Sequence, residues 1–430
     1  MKEFFRDTLG NGLRVMTVEM PHLHSAEMVC YVGTGSRNEE AETAGISHFL
    51  EHMVFRGTVD HPSSLLLERA FEAIGGAVNA STDLETTCFH SRLHPAHLRE
   101  GAALFASMLC RPLLGDLETE RKIILEEALE DINEKGEEIN PDNLTARLLW
   151  PGTSLAFPTV GTRESIHHIG LEHLRRHHGA FYRPDNTVIA VAGPVTRGDV
   201  LAAVKAEFGG WAEQEPPQAP SPLPPFADQA PESVWVRDSG SQVSVQLAFR
   251  VPHRHSPHAV PLRVLRRILS WGASSRLMLS LRERLGLTYH VDAGLTLYDD
   301  CGCLTVDIAL NPANLVTAVR ELLAIFEDLC EKPVNEEELG RTVQSYLYDL
   351  DFSRDHPDEM SVRYGWGELV GYLRTVQDDR RDITAVTPQD LFATSREFFT
   401  AQALKVAVVG PWRKKDRPAV EKLLAGFRRE

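Results

Sequence analysis

The segment His48-Phe49-Leu50-Glu51-His52 places three side chains at a spacing suited to metal chemistry. On a helix, histidines four apart project from one face, and both imidazoles can then reach one zinc ion at about 2.0–2.1 Å. Glu51 lies beside them without being forced into the coordination sphere. It can take a proton from a water at the metal, the general-base role in metal-assisted hydrolysis. A catalytic zinc has three protein ligands and one open position, so one ligand is still to be found. The acidic stretch Leu117–Glu127 offers Glu120 and Glu127, seven apart on one side of a helix whose Ile123 and Ile124 mark a buried face. Pattern alone does not choose between them.

These residues need elements to hold them. Ile46, Phe49, Leu50 and Met53 recur at helical spacing, so a helix is predicted over 44–55 with Thr43 as its N-cap. Further helices are predicted over 63–74, 118–136 and 165–181. Strands are predicted over 12–18, 27–34, 77–81, 86–93 and 187–192. That order implies an α+β domain, a mostly antiparallel sheet with helices packed on one face. The domain occurs twice. Thr187–Pro194 is echoed by Leu404–Pro411, and Leu93-His94-Pro95-Ala96 by Leu310-Asn311-Pro312-Ala313, both at an offset of 217. Residues 213–232, rich in Pro, Ala, Ser and Gln, read as a linker. The expected division is therefore a metal-binding domain over 1–212 and a homologous domain over 233–430. The latter has Leu265–Gly272 where the metal helix would be, so it cannot hold zinc.

Composition narrows the function classes. Hydrophobic residues make up 43% and charged residues 25% of the 430, ordinary values for a soluble globular protein. A net charge of -16 argues against nucleic acid and anionic membrane as partners. No apolar stretch is long enough to span a bilayer, and residues 1–15 lack a signal pattern, so a cytoplasmic location is expected. The six cysteines stand mostly singly in apolar patterns, and Cys301 and Cys303 lack a second pair to complete a zinc site. His167-His168, His177-His178 and the run His253, His255, His258 have no acidic partner at ligand spacing. They read as helix-surface or loop residues.

Gly45-Ile46-Ser47-His48-Phe49-Leu50-Glu51-His52-Met53-Val54-Phe55-Arg56-Gly57-Thr58 closely resembles the signature of the pitrilysin family, the inverted zincins. The resemblance extends to Asn11–Val15, Gly33–Glu39, Tyr182–Asn186 and the duplication. It implies a zinc-dependent endopeptidase acting on peptides or small unfolded polypeptides, with one zinc per chain. The family places its third ligand about 75 residues after the second histidine in an E-x6-E pair. Glu127, 75 residues after His52, matches the ligand, and Glu120 matches the acid that orients a ligand histidine. Asn79 and Ala80 match the edge strand to which a peptide substrate adds. Arg282 and Tyr289 match an Arg and a Tyr that grip substrate and steady the oxyanion from the opposite lobe.

Long family members carry four such domains around a chamber, so this two-domain chain is expected to pair. A homodimer would be self-sufficient, with Arg282 and Tyr289 acting on the partner's zinc; a heterodimer with an inactive homologue is the other arrangement. The competing reading is a non-catalytic or assembly subunit of the same family. Members of that kind typically lose metal-site residues, and this chain retains all four.

Overall fold

The computed structural model describes residues 2–212, 217 and 231–428. Most of the expected linker therefore lies outside the described residues. Two compact units are present, each with its own sheet. In the first, the order is β1-β2-β6-β3-β5-β4, built from Phe5–Thr8, Arg14–Glu19, Thr187–Gly193, Ala26–Val32, Thr87–Leu93 and Val78–Thr82 respectively. In the second, it is β7-β11-β8-β10-β9, from Glu232–Val236, Leu404–Val409, Val243–Val251, Gly302–Leu310 and Val291–Leu297. Leaving aside β1 at the edge of the first sheet, replacing β2, β6, β3, β5 and β4 by β7, β11, β8, β10 and β9 turns one order into the other. The α+β duplication read from the sequence is thus the architecture.

Both sheets are antiparallel except where β2 meets β6 and β7 meets β11. Strands β3 and β6 are buried at every position, as strands covered on both faces should be. Edge strand β4 alternates half-buried and exposed residues. One face of the first sheet carries the main helices. They are α1 (Ile46–Val54), α2 (Ser64–Ala73), α3 (Leu98–Cys110), α4 (Leu117–Glu127), α6 (Arg163–His168), α7 (Leu171–Phe181) and α8 (Arg197–Phe208).

The units are not the contiguous ranges 1–212 and 233–430. The first comprises Met1–Leu129, Phe157–Ser221 and Leu350–Val376; the second comprises Glu130–Ala156, Pro222–Asp349 and Gln377–Glu430. Each half thus lends a segment to the other unit, and the two segments begin 220 residues apart, at Glu130 and Leu350. The cause is an apolar face that needs a cover. Met16, Val18, Val29, Tyr31, Val188, Ala190 and Ala192 line the outer face of the first sheet, and Met360 and Tyr364 pack on it. Glu3 fastens this cover by accepting hydrogen bonds from the Tyr364 hydroxyl (2.8 Å) and the Val376 N–H (3.1 Å). In the second unit α5 (Pro141–Leu149) packs through Leu144 on Ala407 and Val409. Gln246, fully buried in β8, donates to Asp142 at the start of that helix (2.6 Å) and to Asp307 on β10 (2.7 Å).

Two expected helices change. The helix predicted over 118–136 ends at Glu127 and tightens into a 3-10 turn over Ala128–Asp131. The one predicted over 165–181 breaks into α6 and α7 because Gly170, extended at φ -115° and ψ 173°, starts a new helix.

Candidate metal centre

Helix α1 buries Phe49, Leu50, Met53 and Val54 in the core of the first unit, which turns His48, Glu51 and His52 to another side. Its N-terminus differs from expectation. Gly45, at φ +90°, holds the N-cap position, and Thr43 belongs to a separate 3-10 turn. A Cβ at Gly45 would meet the Val160 carbonyl at 2.4 Å, so only glycine lets that loop cross. The buried Glu39 carboxylate serves as the cap, accepting from Gly45 N (2.6 Å) and Ser47 N (2.9 Å). Burial pushes this carboxyl up to about 7 against those two N–H bonds. Behind the helix, His177 Nε2 lies 3.2 Å from Ser47 Oγ and 3.3 Å from Thr34 Oγ1. His177 is buried, which corrects its reading as a surface residue and holds its pKa down near 3.

Helix α4 docks through Ile124, which is fully buried, and through Arg121, whose guanidinium sits 5.6 Å from the Phe49 ring centre. Ile123, expected on the buried face, is exposed instead. The docking turns Glu120 and Glu127 toward α1 and assigns them different atoms. Glu120 Oε2 takes the His52 Nδ1 side at 3.1 Å, while Glu120 Oε1 pairs with Arg56 Nε at 2.9 Å. Glu127 takes the Nε2 side, 3.5 Å from His48 Nε2 and 3.6 Å from His52 Nε2.

One ligand atom from each of His48, His52 and Glu127 lies within 4.8 Å of the others, the one such group of three among the described residues. The 3.5 and 3.6 Å separations are long for hydrogen bonds. They are close to the roughly 3.4 Å that separates two ligands on a tetrahedral zinc with arms of about 2.0–2.1 Å. Two imidazoles and a carboxylate are also a donor set that zinc favours. Burial, then the neighbouring His52, hold His48 down near 4, so it is neutral and able to ligate. At His52 burial also lowers the pKa, but the Glu120 hydrogen bond and the Glu51, Glu120 and Glu127 charges outweigh it and raise the value. The Glu120 and Glu127 carboxylates beside the two imidazoles favour a cation. The residues present therefore fit zinc. His48 Nδ1, by contrast, is buried with no hydrogen-bond partner among the described residues, so of the two imidazoles His52 is the one with its far nitrogen held.

Glu51 is buried beside this group without belonging to it. Burial raises its pKa, and a hydrogen bond from the Thr82 hydroxyl (2.6 Å) opposes the rise. Asn79 and Ala80 fall on β4, opposite His90 and Phe89 of β5, and β4 ends the sheet. Arg282 and Tyr289 belong to the second unit, where the guanidinium lies 5.0 Å from the centre of a Tyr289 ring that is 83% exposed. Arg282 stands in a π-helical turn, Met278–Arg284, a conformation frequent at functional sites.

Residues 14–163 match the family described as "Insulinase (Peptidase family M16)" and residues 168–346 the "Peptidase M16 inactive domain". An uncharacterized zinc protease of Mycobacterium tuberculosis is 32% identical over 94% of this chain and 93% of its own. The chain belongs to peptidase family M16. A crystal structure of a protease from Helicobacter pylori has the same fold as this M16 chain, with a TM-score of 0.86, 21% identity and coverage of 95% and 99%. The periplasmic protease PqqL of Escherichia coli matches at a TM-score of 0.78 and 19% identity. It is covered over 51% of its own length by 100% of this chain. The relatives' names support a protease that uses zinc.

Proposed function

We propose that this M16 chain is a zinc-dependent endopeptidase that hydrolyses peptides or small unfolded polypeptides, with one zinc per chain. The observation that carries the reading is the division of labour among four acidic and imidazole groups. His48, His52 and Glu127 converge on one point, and Glu51 stands beside it with its carboxylate already held. His48, His52 and Glu127 would hold the metal, while Arg56 and Glu120 fix the His52 ring with Nε2 forward. When bound, zinc supplies a Lewis acid that polarises the scissile carbonyl and makes water acidic at neutral pH. Glu51 takes the proton of the attacking water and hands it to the leaving amine. The open edge of β4, at Asn79 and Ala80, pairs with the peptide main chain, which makes the grip largely independent of side chains.

A second copy completes the site in this reading. Arg282 would hold substrate carbonyls and Tyr289 would steady the oxyanion of the other copy's reaction. The exposure of Tyr289 and the doubled length of the PqqL chain support pairing, as a homodimer or with an inactive homologue. Cys30, Cys88, Cys110, Cys303 and Cys330, held as thiols, go with a reducing, cytoplasmic setting. The grouping of His48, His52 and Glu127 supports the catalytic reading over the non-catalytic alternative.

The test is metal analysis of the purified protein together with peptide hydrolysis by wild type and Glu51→Gln. One zinc per chain and a rate drop in Glu51→Gln of about 10²–10⁴-fold are expected. A protein that binds no metal, or a variant that cleaves at the wild-type rate, would refute it.

A further inference from the structure

We propose that Thr82 is a positioning residue for hydrolysis: its hydroxyl aims Glu51, and it does so from the strand that receives the substrate. The inference rests on the peptidase reading and extends it to a residue outside the metal-helix motif.

Proton counting makes the contact one-directional. A threonine hydroxyl has one proton. The Thr82 hydroxyl donates to Glu51 Oε2 at 2.6 Å, a charge-assisted distance. Its other neighbour, Thr87 Oγ1, lies 3.4 Å away and commits its own proton to the Thr34 carbonyl at 2.9 Å. Thr87 thus cannot donate to Thr82, and at 2.6 Å against 3.4 Å the single Thr82 proton goes to the Glu51 carboxylate. With Oε2 occupied, Oε1 is the oxygen left to meet a water, and the three torsions of a glutamate side chain are narrowed to those that keep the bond.

The strand supplies the second half of the argument. Side chains alternate along β4. Val78 and Ala80 pack inward against the core that includes α1, while Asn79 and Ser81 are exposed. Thr82, the last residue of β4, shares the inward side and so reaches α1 from the sheet. Among the described residues β4 pairs only with β5, which leaves its outer backbone edge available. A peptide adding there bonds to the same five-residue strand that ends in Thr82. Seating the substrate thus fixes the base: a slack strand leaves Glu51 slack, and a paired strand holds Oε1 in line.

Thr82→Val, Thr82→Ser and wild type separate this from a packing role. Thr82→Val keeps the shape and removes the proton; Thr82→Ser keeps the proton. The expected result is a kcat about 10- to 100-fold lower in Thr82→Val with KM unchanged, near-complete recovery in Thr82→Ser, and equal zinc content in all three. Wild-type kcat in Thr82→Val, or an equal loss in Thr82→Ser, overturns the proposal. A readout without turnover accompanies it: denaturant midpoints of Thr82→Val, Glu51→Gln and the double variant. Coupled residues give a double variant whose shift departs from the sum of the singles; additive shifts overturn the hydrogen bond. A wild type that cleaves no peptide, with coupling intact, refutes the peptidase reading instead.

Discussion

Glu120 Oε2 lies 3.1 Å from His52 Nδ1, which leaves Nε2 as the nitrogen facing Glu127. The two glutamates of the E-x6-E pair thus address opposite ends of one imidazole. Because Glu120 also pairs with Arg56 at 2.9 Å, it is held at both oxygens and cannot swing into the ligand position. Glu120→Gln keeps the size but weakens the orienting bond. Zinc affinity in a chelator-competition titration is expected to fall about 10- to 100-fold with one site retained. An unchanged affinity would mean that His52 needs no support.

Glu127→Gln and Glu51→Gln should diverge. Both are carboxylate-to-amide changes in the same pocket, yet only Glu127 belongs to the converging triad. Metal analysis after dialysis should find zinc lost from Glu127→Gln and kept in Glu51→Gln. Equal retention would reassign the third ligand.

Glu39 gives a pH signature in stability. Its folded-state pKa is raised from 4.5 to about 7, chiefly by burial. A raised carboxyl contributes stability that is present below about pH 4.5 and lost as the pH climbs through 7. A shift of roughly two and a half units corresponds to about 3 kcal/mol. Denaturant unfolding of wild type and Glu39→Gln from pH 4.5 to 8 should show the wild-type advantage shrinking by that order. A gap constant with pH would rule out Glu39 as the titrating cap of α1.

The exchanged segments predict that residues 1–212 are not a folding unit. Without Leu350–Val376, the face formed by Met16, Val18, Val29, Tyr31, Val188, Ala190 and Ala192 loses the cover of Met360 and Tyr364. Uncovering a large aliphatic side chain costs about 1.5–3 kcal/mol, so Met16, Val18, Val29 and Val188 alone bring a loss that rivals the whole stability of a domain, about 5–15 kcal/mol. The fragment should bind hydrophobic dyes and lack a cooperative thermal transition. A sharp transition at the temperature of the full chain would contradict this.

The sequence was most legible where the chemistry is local. His48, Glu51 and His52 sit within one helical turn, and period and ligand type both show in five residues. The duplication was equally plain, because equal offsets survive folding unchanged. Glu127 needed the family spacing, since Glu120 offers the same side chain on the same helix face. Only the docking of α4 through Arg121 and Ile124 separates their roles. The roles of Thr82, Arg56 and His177 left no signal, for their partners are distant in the chain and obey no period; Glu39 caps Gly45 and Ser47 only six and eight residues on, but through a loop that has no period either. Thr82 reaches Glu51 across 31 residues and His177 reaches Ser47 across 130. The exchange of segments was hidden for the same reason, because an apolar face does not announce which part of the chain will cover it.

That exchange also bears on how the protein is made. At a synthesis rate of about 5–20 residues per second, Val376 follows Gly193, the last residue of the first sheet, by roughly ten to forty seconds. During that interval the sheet that carries α1 has been synthesised, but the side that Met360 and Tyr364 cover is still bare. The nascent half cannot settle and wait for its twin. It must be shielded, or must stay open, until Val376 has been added.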